Sequence, residues 1–301
     1  MKLYELKVLH RNQPVIDEMP EFSWKIESDV QNELQEKYQI IVKDAKKTVW
    51  DSGIVVSSKQ NFIKYQGDML ASCEDYTWSV KVWDNHGDVA EETSTFATAF
   101  LDKKDWKASW VECPFTRKAA NEYKFGATYP AVMFTRNISL NRKVKKAVLY
   151  ASAHGVYRLY VNGKRPDNRE MAPEFTPYDR LMYYQTYDVT DLLLDGDNTV
   201  AAEVGHGWYN AGAVAANYGS NVGLKAKLVV TYKDGAKQVI DTDLKQEAVK
   251  ALMVLGYFAY EAVIYDVPGA AAGIVGNLCQ AAAGIVVSTL IMITVKNIKK
   301  A

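Results

Sequence analysis

Along the first hundred residues, apolar and polar side chains alternate in short runs separated by turn-forming residues. In "YTWSVKVWD", Trp78, Val80 and Val82 alternate with Thr77, Ser79 and Lys81, which gives a strand one apolar and one polar face and places Trp78 in a core. The runs "EFSWKIES", "YQIIVKD", "TVWDSGIV" and "STFATAF" share this length and rhythm, so the region is expected to form a β-sandwich. "DNHGD" supplies Asn, Gly and Asp where a hairpin must turn, and His86 is expected on a solvated loop. After the connector "LDKKDWKASWVECP", a second β-rich block runs from about Asp105 to Asp243. Its runs "AVMFTRNISL", "KKAVLYASA", "VYRLYVNGKR", "YQTYDVTDLL", "NTVAAEVG" and "LKAKLVVTYKDG" are of strand length, "VNGK" is a two-residue turn, and no helical period stands out. Such a series predicts a jelly-roll sandwich.

The pattern changes after Asp243. Gly269 to Val295 carries no charge and as a helix measures about 40 Å, long enough to cross a bilayer. Val249 to Tyr265, with Lys250 and Glu261, measures about 25 Å and is a marginal span, and "DVPG" turns between the two. A C-terminal hydrophobic, transmembrane-like helical hairpin is therefore expected over 248–296. Gly273, Gly276, Asn277, Gln280 and Gly284 line one side of the second helix, a stripe that wants a packed partner in lipid. Lys233, Lys237, Lys245 and Lys250 precede the pair and Lys296, Lys299 and Lys300 follow it, so both ends are expected to be cytoplasmic. The opening "MKLYELKVLHRNQPVIDEMP" lacks the apolar core of a secretory signal. The expected organisation is mainly β: one sandwich over 3–101, a second over 105–243, and the hairpin, as two unrelated pieces joined near Asp243. The tail would attach the chain to a membrane; without it the chain would be cytoplasmic.

Composition narrows the chemistry. A formal net charge of +0 without a Lys/Arg block gives no electrostatic reason to expect nucleic acid. The 3 cysteines are far apart and lack C-x-x-C spacing, which points to neither a disulfide framework nor a zinc site. His154 and His206 have no nucleophile motif beside them and read as structural or as minor contacts. Glu170, Glu174 and Asp179 cluster in "REMAPEFTPYD", where Pro173 and Pro177 hold an extended path. Proximity on a loop does not set the roughly 6.5–9.5 Å that an inverting glycosidase needs, so a solvated acidic loop is the expected reading. In "GHGWYNAG", Trp208 and Tyr209 stand among Gly205, Gly207 and Gly212. They offer an aromatic face to a sugar ring, or Trp208 plugs the sandwich; composition leaves both open. In "KRPDNRE", Asp167 and Asn168 offer hard oxygen ligands of the kind calcium takes, or form an ordinary turn.

"YQTYDVTDLL", "RLYVNGKR", "MAPEFTPYD" and "GHGWYNAG", in this order and spacing, resemble the N-terminal accessory modules of bacterial α-L-rhamnosidases of glycoside hydrolase family 78. "PEFSWKIES", "VWDSGIV" and "YTWSVKVWDNHG" are similar to the fibronectin type III-like module that opens many of them, and the resemblance covers about Leu3 to Asp243. It implies a carbohydrate-binding or structural role toward L-rhamnose-containing glycans, with Trp208, Tyr209, Asp167 and Asn168 as the sugar site. Calcium held by Asp167 and Asn168 is the implied cofactor. Hydrolysis in this family resides on a downstream (α/α)6 barrel that this chain does not contain, so no catalytic residue is expected in it and no hydrolysis by it alone. "VLGYFAYEAVIYDVPGAAAGIVGNLCQAAAGIV" is similar to the last two transmembrane helices of S components of energy-coupling-factor vitamin transporters. Two further readings follow: a transporter fragment with the lipid bilayer as partner, or a fusion with no function as a unit.

Overall fold

The computed structural model describes residues 1–113, 121–123, 126–128, 130–209, 218–219 and 221–243. The first block holds β1 (Lys2–Val8), β2 (Val15–Ile16), β3 (Glu21–Glu27), β4 (Gln35–Lys43), β5 (Thr48–Asp51), β6 (Val55–Val56), β7 (Ile63–Lys64), β8 (Asp75–Asp84) and β9 (Val89–Thr98). They form a sheet in the order β1-β3-β7 and a larger one in the order β2-β9-β8-β4-β5, with β6 on β4. Alternation along β8 buries Tyr76, Trp78, Val80 and Val82, each no more than 4% exposed. Trp24 and Phe22 from β3 enter the same core from the facing sheet. Phe22 packs 4.6 Å from Trp78 between ring centroids, and Trp24 donates its indole N–H to Gln35 Oε1 at 3.0 Å. His86 is exposed in the turn that joins β8 to β9.

The second block holds β10 (Val111–Glu112), β11 (Asn121–Tyr123), β12 (Gly126–Thr128), β13 (Val132–Leu140), β14 (Val144–His154), β15 (Val156–Val161), β16 (Gln185–Asp188), β17 (Gly196–Gly205), β18 (Gly223–Tyr232) and β19 (Lys237–Asp241). One sheet runs β10-β18-β14-β16 with β19 on β18; the other runs β13-β17-β15; β11 and β12 pair with each other. Apart from the short parallel pairing of β2 with β9, the described pairs are antiparallel. The core between these sheets is mainly aliphatic, with Ala147, Ala151, Ala153, Ala202, Leu149, Leu159, Val161, Val204 and Val230 buried beside the rings of Phe134, Tyr157, Tyr187 and Tyr232. The "VNGK" turn has both central residues at positive φ, Asn162 at 51° and Gly163 at 78°, the twist a tight hairpin needs. The corner before β17 is a 3-10 turn, Thr190–Leu192.

The blocks meet through an aromatic contact. Phe100 stacks on Trp106 at 4.5 Å and lies 4.9 Å from Tyr150 of β14, with Tyr184 at its edge. Ion pairs Lys146–Asp75 and Lys237–Glu74 flank the contact. Burial here pushes the Tyr184 phenol up to about 12.

The expected helical hairpin over 248–296 lies outside the described residues, and with it the two spans and the topology built on them. Among the described residues no helix is long and apolar enough to cross a membrane. Lys237, counted above as a charge flanking the first span, instead pairs with Glu74 across the contact between the blocks.

Candidate functional site

At one end of the second sandwich the chain crosses from β14 to β15 through Gly155 alone. Gly155 has φ 132°, and a Cβ there would come 2.1 Å from the carbonyl oxygen of Gly205, so only glycine makes this crossing. Gly207, at φ 50°, is similarly closed to side chains, because a Cβ would meet Val156 Cγ1 at 2.4 Å. Two of the strand ends at this end of the sandwich, those of β14 and β17, thereby present His154 and the Gly205–Tyr209 loop side by side.

The imidazole of His154 is stacked between two rings: Trp110 at 3.7 Å and 16°, and Tyr209 at 4.6 Å and 7°. Tyr178 meets the edge of Tyr209 at 5.5 Å and of Tyr218 at 5.2 Å. Phe175 lies 6.0 Å from Trp208 in an edge-to-face arrangement. Phe175 is half-exposed and Trp208 is intermediate, whereas Tyr178 is buried. Trp208 is not part of the sandwich core. Burial holds His154 below its ordinary value against the opposing pull of Glu112, whose carboxylate is 3.9 Å away, so the ring in the stack is held toward the neutral form.

The loop that supplies Phe175 and Tyr178 is anchored underneath by a buried polar network. The Tyr157 hydroxyl is 2.8 Å from Gln185 Oε1 and 2.9 Å from the Ala151 carbonyl, and it accepts from the Tyr187 hydroxyl at 3.1 Å. Burial raises the Tyr157 phenol well above its ordinary value, so it stays protonated and able to donate. Tyr157 N–H donates to the Ala172 carbonyl at 2.8 Å, and the Ala172–Pro173 bond is cis. Gln185 and the backbone at Ala172 thus tie the start of "APEFTPYD" to the sheet.

The acidic residues of this loop are paired with arginine. Glu170 takes Arg165 at 2.7 Å and Arg158 at 2.8 Å, and Glu174 takes Arg169 at 2.9 Å. Arg165 first, then Arg158, hold the Glu170 carboxyl below the usual range. A general acid needs the opposite shift, so Glu170 is not tuned for that role. Asp167 is exposed; its carboxylate accepts the Arg169 backbone N–H at 3.2 Å and sits 3.7 Å from the Arg169 guanidinium. Asn168 is exposed beside it. The structure therefore brings the Trp208 loop against Phe175 of the loop that also bears Asp167 and Asn168. Sequence reasoning singled out Trp208 and Tyr209 as binding groups and named His154 only as structural; it did not reach Trp110, Phe175, Tyr178 or Tyr218, for which the aromatic content of "EFTPYD" was the available signal.

A cavity of about 570 Å³ also opens between the two sheets, lined by core side chains such as Leu149, Leu159, Leu224 and Leu228, with Arg136 and Asp241 among the polar groups. Among the described residues its one aromatic wall is the ring of Phe134, which is buried in the core.

Comparison with known proteins places these features. Residues 3–102 match the model of the Rha78A-like, N-terminal immunoglobulin domain, and residues 142–273 match that of the α-L-rhamnosidase N-terminal domain. An α-L-rhamnosidase of Alteromonas sp. (strain LOR) is 30% identical over 82% of this chain and 28% of its own length. One of Formosa agariphila is 32% identical over 75% of this chain and 26% of its own length. The solved α-L-rhamnosidase of Dictyoglumus thermophilum superposes with a TM-score of 0.69 at 31% identity, over 81% of this chain and 29% of that one. The chain thus spans about a quarter of the length of these curated relatives. The likeness of the tail to a transporter S component, and with it the transporter reading and the lipid bilayer as partner, is not supported: the rhamnosidase model continues through residue 273, past Asp243 and across the expected first span. The chain is homologous to the N-terminal, non-catalytic domains of family 78 α-L-rhamnosidases.

Proposed function

We propose that this chain is an accessory portion of an α-L-rhamnosidase whose second sandwich holds L-rhamnose-containing glycan at its aromatic end. The observation that supports this most is the meeting of Trp208 with half-exposed Phe175, on a loop whose next residue, Tyr209, stacks on His154 and through it on Trp110. A 6-deoxy sugar has one apolar face and a methyl group for such rings, and vicinal hydroxyls for nearby polar groups. Relatives named for cleaving α-L-rhamnosides make this sugar the first to try.

Calcium is the proposed cofactor, on Asp167 and Asn168. The fit is incomplete in the described geometry: the Arg169 guanidinium lies against the Asp167 carboxylate, and two side chains cannot fill a shell of six to eight oxygens. The ion would have to displace Arg169 and draw water or sugar hydroxyls as further ligands. Trp208 and Tyr209 bind by stacking whether or not the ion does.

Calorimetric titration of the full chain with L-rhamnose, in calcium and then in chelator, tests both parts. Weak, saturable heat that disappears in Trp208→Ala supports the sugar site; its dependence on calcium and on Asp167 supports the ion. Absence of heat in calcium leaves the sandwich a structural spacer, a role that the aromatic contact at Phe100 also suits. Heat unchanged by chelator and by Asp167→Ala makes Asp167 and Asn168 an ordinary turn.

A further inference from the structure

The first sandwich contains an arrangement of carboxylates that its role as a β module does not explain. Glu33, from the segment between β3 and β4, and Asp84 and Asp88, from the β8–β9 hairpin, bring one oxygen each to within 4.8 Å of one another. Surface carboxylates cluster often and need no ligand. Here, however, the Glu33 side chain is 1% exposed and both its oxygens are buried without a hydrogen-bond partner. Asp84 is 2% exposed, and its Oδ2 is also buried without one. A buried carboxylate oxygen that accepts nothing is costly, and two facing carboxyls avoid joint ionisation either by sharing a proton, as Glu33 and Asp84 do when no ion is bound, or by holding a cation between them. Among the described residues the ammonium of Met1 lies 3.6 Å from Glu33 Oε2, and His86 in the hairpin also acts on Asp84.

The surrounding chain holds this geometry in place. Asp84 Oδ1 is already occupied, accepting the N–H groups of His86 at 2.9 Å and Asp88 at 2.8 Å, so Oδ2 is the oxygen left over. Asn85 ties the hairpin to the Glu33 segment on both sides: its side chain accepts from Leu34 N–H at 2.8 Å and donates to the Asn32 carbonyl at 3.1 Å. Its own N–H donates to the Leu34 carbonyl at 3.0 Å.

We propose that Glu33, Asp84 and Asp88 form a divalent-cation site of the calcium class that pins the β8–β9 hairpin to the β3–β4 segment. All donors are hard oxygens, which disfavours softer metals. Ligands around calcium lie about 2.3–2.6 Å from the ion and so span up to roughly 5 Å across it, which the observed spread satisfies. Around magnesium, at about 2.0–2.1 Å, they would have to close to within roughly 4.2 Å. The site is separate from Asp167 and Asn168, and its chemistry does not depend on sugar.

The test is calcium titration of the chelator-stripped full chain in the absence of rhamnose, by calorimetry and thermal shift, with Glu33→Gln, Asp88→Asn and Asp167→Ala beside the parent. Asp88 is exposed, so Asp88→Asn leaves the fold intact, which near-ultraviolet circular dichroism verifies. The expected result is one saturable event at about 0.1–1 mM calcium. It should be weakened about tenfold or more in Asp88→Asn and Glu33→Gln, retained in Asp167→Ala, and weaker with magnesium. Absence of a sugar-independent event in the folded parent up to about 10 mM calcium, or an event that survives both Asp88→Asn and Glu33→Gln unchanged, overturns the proposal.

Discussion

The two sandwiches differ in where they place their indoles. In the first, Phe22, Trp24 and Trp78 are at most 1% exposed and fill the space between the sheets. In the second, that space is filled mainly by alanine, valine and leucine together with the single rings Phe134, Tyr157, Tyr187 and Tyr232, while Trp110 and Trp208 gather with Tyr209, Tyr218 and Phe175 at one end. A large ring inside a sandwich sets its thickness and contributes packing energy; a ring at the end contributes little to the core and stays available to a ligand. The same strand rhythm thus yields one module with indoles at its centre and one that buries only single rings there and carries indoles at its end.

The sharpest way to break this comparison is to truncate one indole in each module. Trp78→Ala should destabilise the first sandwich by about 3–5 kcal/mol, read as a fall in the urea midpoint. Trp208→Ala should change stability by no more than about 1 kcal/mol. Equal losses would mean that Trp208 is a core residue and the contrast is false.

Next in size is the network beneath the end face. Tyr157→Phe leaves Tyr187 and Gln185 without their buried partner and should cost about 1–3 kcal/mol, with faster proteolysis between Ala172 and Tyr178 if the network fixes that loop.

Smaller still is a pH effect confined to the second module. Burial lowers the folded-state value of His154 below its ordinary 6.5, so below that pH the unfolded chain binds a proton that the folded chain refuses. Stability should therefore be complete above about pH 6.5 and fall progressively as the pH drops toward the folded value. Urea midpoints at pH 7.5 and 5.5, for the parent and for His154→Phe, check this; the variant keeps a ring in the stack but should lose that part of the pH dependence.

Smallest is the ion pair across the contact between modules. Lys146 and Asp75 are 34% and 60% exposed, and Lys146→Ala should cost no more than about 1 kcal/mol, in contrast to truncation of Phe100 in the same contact.

Much of the fold was legible because half-buried antiparallel strands declare themselves by alternation. "YTWSVKVWD" became β8 with Trp78 inward, and "VNGK" became the expected tight turn. β1 was not read, because "KLYELKV" carries charges at intervals that mask its inward Leu3, Leu6 and Val8. The β10 pairing was missed for another reason: two residues suffice to dock on β18, and so short a strand has no period. At the end face, Trp208 and Tyr209 stood out as an aromatic pair among glycines. Trp110 and His154 did not, because their stacking is fixed by the positions of β10, β14 and β18 rather than by anything adjacent in the chain. The Glu33–Asp84–Asp88 cluster was invisible for the same reason: "DNHGD" reads as a turn, and only the fold brings Glu33 to it.

The most direct measurement of the central claim is the rhamnose affinity and the urea midpoint of the full chain and of Trp208→Ala, taken on the same preparations. The account predicts saturable binding by the parent, its loss in Trp208→Ala, and an unfolding midpoint for the second sandwich that hardly moves. Retained binding in Trp208→Ala, or loss of binding together with a stability loss as large as that of Trp78→Ala, would contradict it.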